Sequence, residues 1–309
     1  MIKRFSLRTI SKYTVILLIV FLFYLFPKNK EYTLDKTVSS NININLHDIF
    51  LLDKNNYIAK TKIDVSSNEK EKLIDEILEI IKKDGKYIDK IPNGFTPILP
   101  SDTRLLNKNI ENDTLILNFS KELFEERVEI EEKIIESIIY NMTSIDGINK
   151  VIIKVEDKLL EKLPKTGKFI DKVLTREYGI NKIYEITGIK NVSKVVIYYI
   201  SKTNNENEYY IPVTKYINSN DDKIKIIIDE LTSKISYESN LMSYLNYNAK
   251  LIDYSFNEEK LDLNFNEYLF DNSENKKVLE EVIYSISYSI EDTLNVDKIN
   301  FFVNNKEIK

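Results

Sequence analysis

The sequence predicts an α+β protein: two tandem β-β-α-β-β-α-β units, each with two helices packed on a mixed or antiparallel sheet, behind an N-terminal transmembrane anchor. Three observations lead there. Residues 115–124 and 261–270 share six of their ten positions, namely Leu115, Leu117, Asn118, Phe119, Leu123 and Phe124 against Leu261, Leu263, Asn264, Phe265, Leu269 and Phe270. Each copy alternates apolar and other residues before a polar kink, the pattern of a strand with one buried face. Around each copy lie two segments with apolar residues at helical spacing, and an uncharged apolar run stands near the start of the chain.

Residues 1–12 form a basic segment with Lys3, Arg4, Arg8 and Lys12 and no acid. Residues 13–27 follow as a signal anchor, uncharged from Tyr13 to Phe26 and closed by Pro27. Those 14 residues reach about 21 Å at about 1.5 Å each, short of a hydrocarbon core of about 30 Å, so flanking lysines would snorkel or the bilayer thin. The length also suits a cleaved signal peptide, but no small-x-small site follows. The basic flank belongs on the cytoplasmic side, which puts the remainder outside the cell membrane as the extracytoplasmic part of a single-pass protein. Residues 28–45 are a polar spacer.

The first domain is expected at 46–163. Ile49–Leu52 and Tyr57–Lys62 make a hairpin around Asp53–Asn56. Ser66, Ser67 and Asn68 offer an N-cap to a helix with Leu73, Ile74, Ile77, Leu78 and Ile81 on one face. A Pro/Gly-rich connection covers 91–100, then a strand at Leu105–Leu106 and the motif strand. Ile130, Ile134, Ile135, Ile138, Ile139 and Met142 mark the second helix, and Val151–Val155 the closing strand. Residues 164–193 form a connector too apolar to be a free linker, expected to pack between the units and set their angle. The second domain, 194–309, repeats the order: Val195–Ile200, Tyr209–Lys215, a helix with Ile227, Ile228, Leu231 and Ile235, then Met242–Tyr247 in place of the Pro-rich connection. Leu251–Phe256, Leu261–Phe265, a helix with Val278, Val282, Ile283, Ile286 and Ile290, and Lys298–Val303 complete it. Two copies are too few for a solenoid, so each is expected to hold its own core.

Composition excludes several chemistries. The absence of Cys removes disulfides, thiolate metal sites, a cysteine nucleophile and a lipidated anchor. His47 is the sole histidine. Beyond residue 27 the chain has 40 cations against 49 acids, a poor balance for binding nucleic acid. Asp75–Glu76 and Asp229–Glu230 are helix neighbours pointing about 100° apart, so they read as a solvated face. Ser120 lacks a G-x-S-x-G context and becomes Asn266 in the second copy. The six glycines form no phosphate loop. No catalytic, cofactor-binding or metal residue is assigned, and no cofactor is expected. Tyr237, Tyr244, Tyr247 and Tyr254, with Tyr284 and Tyr288 on the following helix, are the candidate interaction surface, because tyrosine joins an apolar body to a polar tip.

Tyr210–Lys215, Ile91–Gly94, Leu117–Leu123 and Val151–Val155, in this order of elements, resemble the GerMN module of sporulation and spore-germination proteins. The resemblance covers about residues 46–309 in two copies. It implies a non-enzymatic, extracytoplasmic, membrane-attached protein of sporulation or germination, associated with the complex joining mother cell and forespore and with the wall there. It also implies an α+β module similar to ring-building domains of secretion systems. Two departures stand out: there is no lipobox Cys, and the second unit lacks the Ile-Pro-x-Gly connection. The expected function is therefore that of a membrane-anchored adaptor or scaffold at the septal or forespore membrane, with protein partners of a sporulation complex and no nucleic acid. The alternative is a peptidoglycan-binding module that assists wall remodelling. Within the motif, Leu117, Phe119, Leu263 and Phe265 sit where a core needs them, whereas Asn118 and Asn264 are retained on the opposite face. Replacing Phe119 or Phe265 by Ala is expected to cost about 3–5 kcal/mol in denaturant unfolding, as for a buried Phe.

Overall fold

The computed structural model describes residues 45–204, 207–233, 240–257, 260–270, 277–296 and 298–308. The expected anchor at 13–27, its flanks up to residue 44, Ile235 and Tyr237 lie outside the described residues. Among the described residues no helix is long and apolar enough to cross a membrane.

The first repeat runs β1 (Leu46–Asp53), β2 (Ile58–Asp64), α1 (Lys70–Ile80), β3 (Phe95–Thr96), β4 (Leu105–Glu111), β5 (Thr114–Phe119), α2 (Val128–Met142), β6 (Lys150–Val155) and β7 (Lys158–Leu159). The connector contributes β8 (Ile183–Glu185). The second repeat runs β9 (Val192–Lys202), β10 (Glu208–Asn218), α3 (Lys223–Thr232), β11 (Leu251–Asn257), β12 (Lys260–Phe265), α4 (Glu280–Leu294), β13 (Lys298–Val303) and β14 (Lys306–Glu307). The seven expected elements of each repeat are present in order. The additional β3, β7, β8 and β14 are too short for any periodicity to announce them. The N-cap expected from Ser66–Asn68 does not form: Glu69 holds that position without a side-chain bond, while the Ser66 N–H and hydroxyl bond to the Glu76 carboxylate.

The two motif strands lie in equivalent sheets, β4-β5-β6-β7 and β11-β12-β13-β14. In each the central pair is parallel, because a helix crosses between its strands, and the outer pairs are antiparallel. Phe119 and Phe265 are fully buried beside Leu117 and Leu263. The retained asparagines clamp a turn. Asn118 Oδ1 accepts the Asp157 N–H (3.0 Å) and its Nδ2 donates to the Asp157 carboxylate (2.7 Å). Asn264 does the same to Asn305, at 3.0 and 2.8 Å. Both turns, Glu156–Asp157 and Asn304–Asn305, have two successive residues at positive φ, the hairpin geometry that short polar residues tolerate. Ser120 and Asn266 are also equivalent in role: each side-chain oxygen accepts the N–H of the residue that precedes the outer strand, Arg104 at 3.1 Å and Lys250 at 3.0 Å.

One expectation is corrected. The hairpins do not extend their own repeats' sheets and the cores are not separate. β1-β2 and β9-β10 join in one six-stranded sheet, in the order β3-β1-β2-β10-β8 with β9 on the other side of β10, and a continuous apolar core runs under both repeats. Alternation marks which face of a strand is buried; it carries nothing about which strand lies alongside. Residues 44–309 thus form one compact unit.

The junction is narrow. β2 meets β10 at Lys60–Tyr210 and the two strands then diverge. Asn181, in the left-handed conformation and buried, fills the gap. Its Oδ1 accepts the Ile58 N–H (2.9 Å), and its Nδ2 donates to the carbonyls of Ile58 (2.7 Å) and Pro212 (2.8 Å). Pro212 has no N–H to offer, so only its carbonyl needs a partner. Beside it Thr214 and Ile180 exchange backbone and hydroxyl bonds at 2.8 and 2.9 Å. Asn181 of the connector thus stands between the two hairpins. Asn181→Leu strands three buried backbone groups, each worth about 1–3 kcal/mol, and is expected to cost at least about 3 kcal/mol in denaturant unfolding of residues 44–309. Asn118→Ala, confined to one surface turn, is expected to cost about 1 kcal/mol.

Candidate functional site between the repeats

The C-terminal ends of α2 and α4 converge on a groove of about 680 Å³ lined by β1, β2, β9 and the connector. Equivalent helices are placed here by equivalent bonds. β9 and the part of β1 before its short pairing with β3 have one edge without a strand, and each second helix satisfies that backbone with polar side chains. Asn141 of α2 accepts the Phe50 N–H (3.0 Å) and donates to the Phe50 carbonyl (2.9 Å). Ser289 of α4 accepts the Tyr198 N–H (2.8 Å). A helix laid on a strand edge in this way also removes a surface on which foreign strands could pair.

Arg176 of the connector joins the two helix ends. Its Nε donates to Thr143 Oγ1 just beyond α2 (3.0 Å), and its guanidinium pairs with Asp292 in the last turn of α4. The other Asp292 oxygen accepts the Tyr198 hydroxyl (2.6 Å). The guanidinium lies over Tyr140, 4.9 Å from the ring centre. Burial pushes the arginine down, but the Asp292 carboxylate together with Tyr198 and Tyr140 more than offsets it and holds the guanidinium charged; burial and the same carboxylate push Tyr198 well up. Toward the open end Lys60 pairs with Asp48 (2.9 Å) and sits 3.7 Å above the centre of the Tyr288 ring. Lys150 pairs with Asp113 (3.1 Å). The groove is an aromatic-floored cleft whose cations are matched by carboxylates. Among the described residues no group of three His, Asp or Glu stands close enough to hold a metal ion.

The tyrosines named from sequence do not form one surface. Tyr244 and Tyr247 line a separate groove of about 960 Å³ with Leu231, Leu241 and Met242. The segment carrying them stands where the Pro-rich connection stands in the first repeat: Met242 bridges to Ile200 as Thr96 pairs with Leu52. Tyr244 donates to Glu208 (2.5 Å), whereas Tyr247 is 71% exposed. Tyr254 lies on β11, away from that groove. Tyr284 and Tyr288 stack along α4 against Tyr210. The acidic pairs are not simply solvated: Glu76 is buried and binds Lys90 (2.9 Å), and Glu230 binds Lys215 (2.6 Å). Arg176, Asp292 and Asn181 escaped the sequence reading. One signal was available, since Arg176 is the sole arginine beyond residue 127 in a lysine-rich chain, and a planar donor fork is what a buried pair requires.

A family model described as Germane, sporulation and spore germination, matches residues 48–161 and 196–309, one match on each repeat. The chain belongs to the Germane family. It is 30% identical over 269 residues to the spore germination protein GerM of Bacillus subtilis (strain 168), covering 84% of this chain and 72% of that protein. The solved structure of the tandem GerMN domains of the sporulation protein GerM from Bacillus subtilis is similar with a TM-score of 0.76 at 29% identity, over 85% of this chain and 92% of that one. The tandem Germane architecture is therefore shared, and the kinship supports a role related to sporulation.

His47, at the start of β1, lies 2.9 Å from Ser144 Oγ at the groove's edge. Burial lowers its pKa more than Asp48 and Asp146 raise it. The folded protein therefore holds the ring neutral to lower pH than the unfolded chain does. Stability from this source is complete above about pH 6.5 and falls as pH drops below it. Urea midpoints between pH 7 and about 5.5, above the range where ordinary carboxylates titrate, should decline, and His47→Gln should flatten the slope.

Proposed function

We propose that this Germane protein is a membrane-anchored, extracytoplasmic adaptor of sporulation or spore germination that works through protein contacts. One observation carries the adaptor reading. In the described part of 46–163 no aromatic side chain is strongly exposed, whereas the second repeat exposes Tyr247, Tyr254, Phe256, Tyr268 and Tyr284. Exposed aromatic side chains gathered on one repeat give it the kind of surface that protein interfaces use. The shared sheet supports the same reading, because it holds that surface at a set angle to the first repeat. The anchor rests on the uncharged stretch from Tyr13 to Phe26 and its basic flank.

A fluorescent fusion to the full chain, followed through sporulation, is expected to concentrate at the septal or forespore membrane. Uniform signal around the vegetative membrane, without that enrichment, would overturn the reading. Deleting residues 1–27 should release the fusion from the membrane fraction.

A further inference from the structure

The repeats differ most clearly at one matched strand. β4 and β11 each end their four-stranded sheet, and both shift register at the same point, between Leu105 and Asn107 and between Leu251 and Asp253. Lys108 of β4 stands opposite Leu117, and Tyr254 of β11 opposite Leu263, the same leucine of the repeated motif. In the first repeat Lys108 reaches up to α1. Its Nζ donates to the Glu71 carbonyl (2.5 Å) and pairs with Asp75 (2.6 Å). A lysine held on the core side of an outer strand opposes pairing with a foreign strand.

The second repeat has no lysine on this strand. Tyr254 is 37% and Phe256 57% exposed, although they stand opposite the buried Leu263 and Leu261. Their rings are 6.2 Å apart, edge to face. Asp229, the counterpart of Asp75, receives no cation from the strand. Around it are Asp221, Asp222 and Lys225, and Lys225 is already paired with Asp221 (2.7 Å). Burial first, with Asp221 and Asp222 adding to it against the pull of Lys225, raises the Asp229 pKa. Burial first, then the nearby Asp222 carboxylate, raises the pKa of the Tyr254 hydroxyl. An outer strand edge, two exposed aromatic rings and an acidic cluster thus coincide where the first repeat has an outer edge guarded by a lysine.

We propose that the β11 edge takes up an extended segment of a protein partner as a fifth strand, with a lysine or arginine of that segment lying on Tyr254 and pairing with Asp229 and Asp222. The inference rests on the protein-contact reading above and deepens it. Main-chain bonds to the free edge supply affinity, the aromatic pair takes an apolar side chain, and the carboxylates select a cation. A failed strand interaction would leave the sporulation fusion localised as before, so the two readings fail separately.

The test uses residues 44–309 and two fluorescein-labelled peptides, Thr-Lys-Val-Lys-Val-Lys-Thr and its counterpart with Glu for Lys. Anisotropy should show the lysine peptide binding and the glutamate peptide weaker by about tenfold or more, the worth of one charge-assisted contact. Amide hydrogen exchange should slow at 251–257 and not at 105–111. Tyr254→Lys, which copies the first repeat, should weaken the lysine peptide by about tenfold. Asp229→Asn, which leaves the strand untouched, should do so independently. No binding, equal affinity for both peptides, equal protection of β4 and β11, or indifference to both variants would overturn the proposal. Protection of β11 that rises with protein concentration alone would overturn it in favour of a second copy as the occupant.

Discussion

Where β2 and β10 part company, the backbone groups of Ile58 and Pro212 are buried without a neighbouring strand, and the Asn181 side chain answers them. A buried unpaired amide or carbonyl is expensive enough that two repeats could not share a sheet across such a gap without it. The rest of the junction follows from this requirement. Asn181 must turn through the left-handed region to present both ends of its amide. Its own N–H is taken by Glu136 of α2 (2.9 Å), whose other oxygen pairs with Lys182 (2.9 Å). One residue, by its carboxamide and its backbone N–H, therefore ties the first hairpin, the second hairpin and the α2 helix into a single body.

Arg176 repeats the device at the groove, with charge in place of an amide. A buried ion pair gains little over apolar packing, because desolvating both charges offsets most of their attraction. Its use lies in geometry: a planar fork against Asp292, a bond to Thr143 and a ring beneath it permit one arrangement of the α2 and α4 ends. The second helices of the two repeats are thereby held in one fixed relation.

The internal duplication works as a control experiment within one chain. Asn118 and Asn264 keep one task with different partners, Asp157 and Asn305. Ser120 and Asn266 differ in identity and keep one bond. Asn141 and Ser289 each satisfy an outer strand. Against that background of retained tasks, the exchange of Lys108 for Tyr254 removes a task and leaves an exposed ring in its place.

Element order, the repeat and the buried faces were legible in the residues themselves. Leu117, Phe119, Leu263 and Phe265 alternate as a strand requires, and Ile134, Ile138 and Ile286, Ile290 recur as a helix requires, because side-chain direction is a local consequence of backbone geometry. The same residues could not announce that the hairpins would pair with each other, since a strand's alternation is satisfied by any neighbour. Nor could they announce that Asn181 would bond Ile58 across 123 positions or that Arg176 would meet Asp292 across 116. Those contacts exist because burying the two apolar faces together leaves particular backbone and charged groups without water. Only the packed chain decides which groups those are and which side chain stands close enough to answer them.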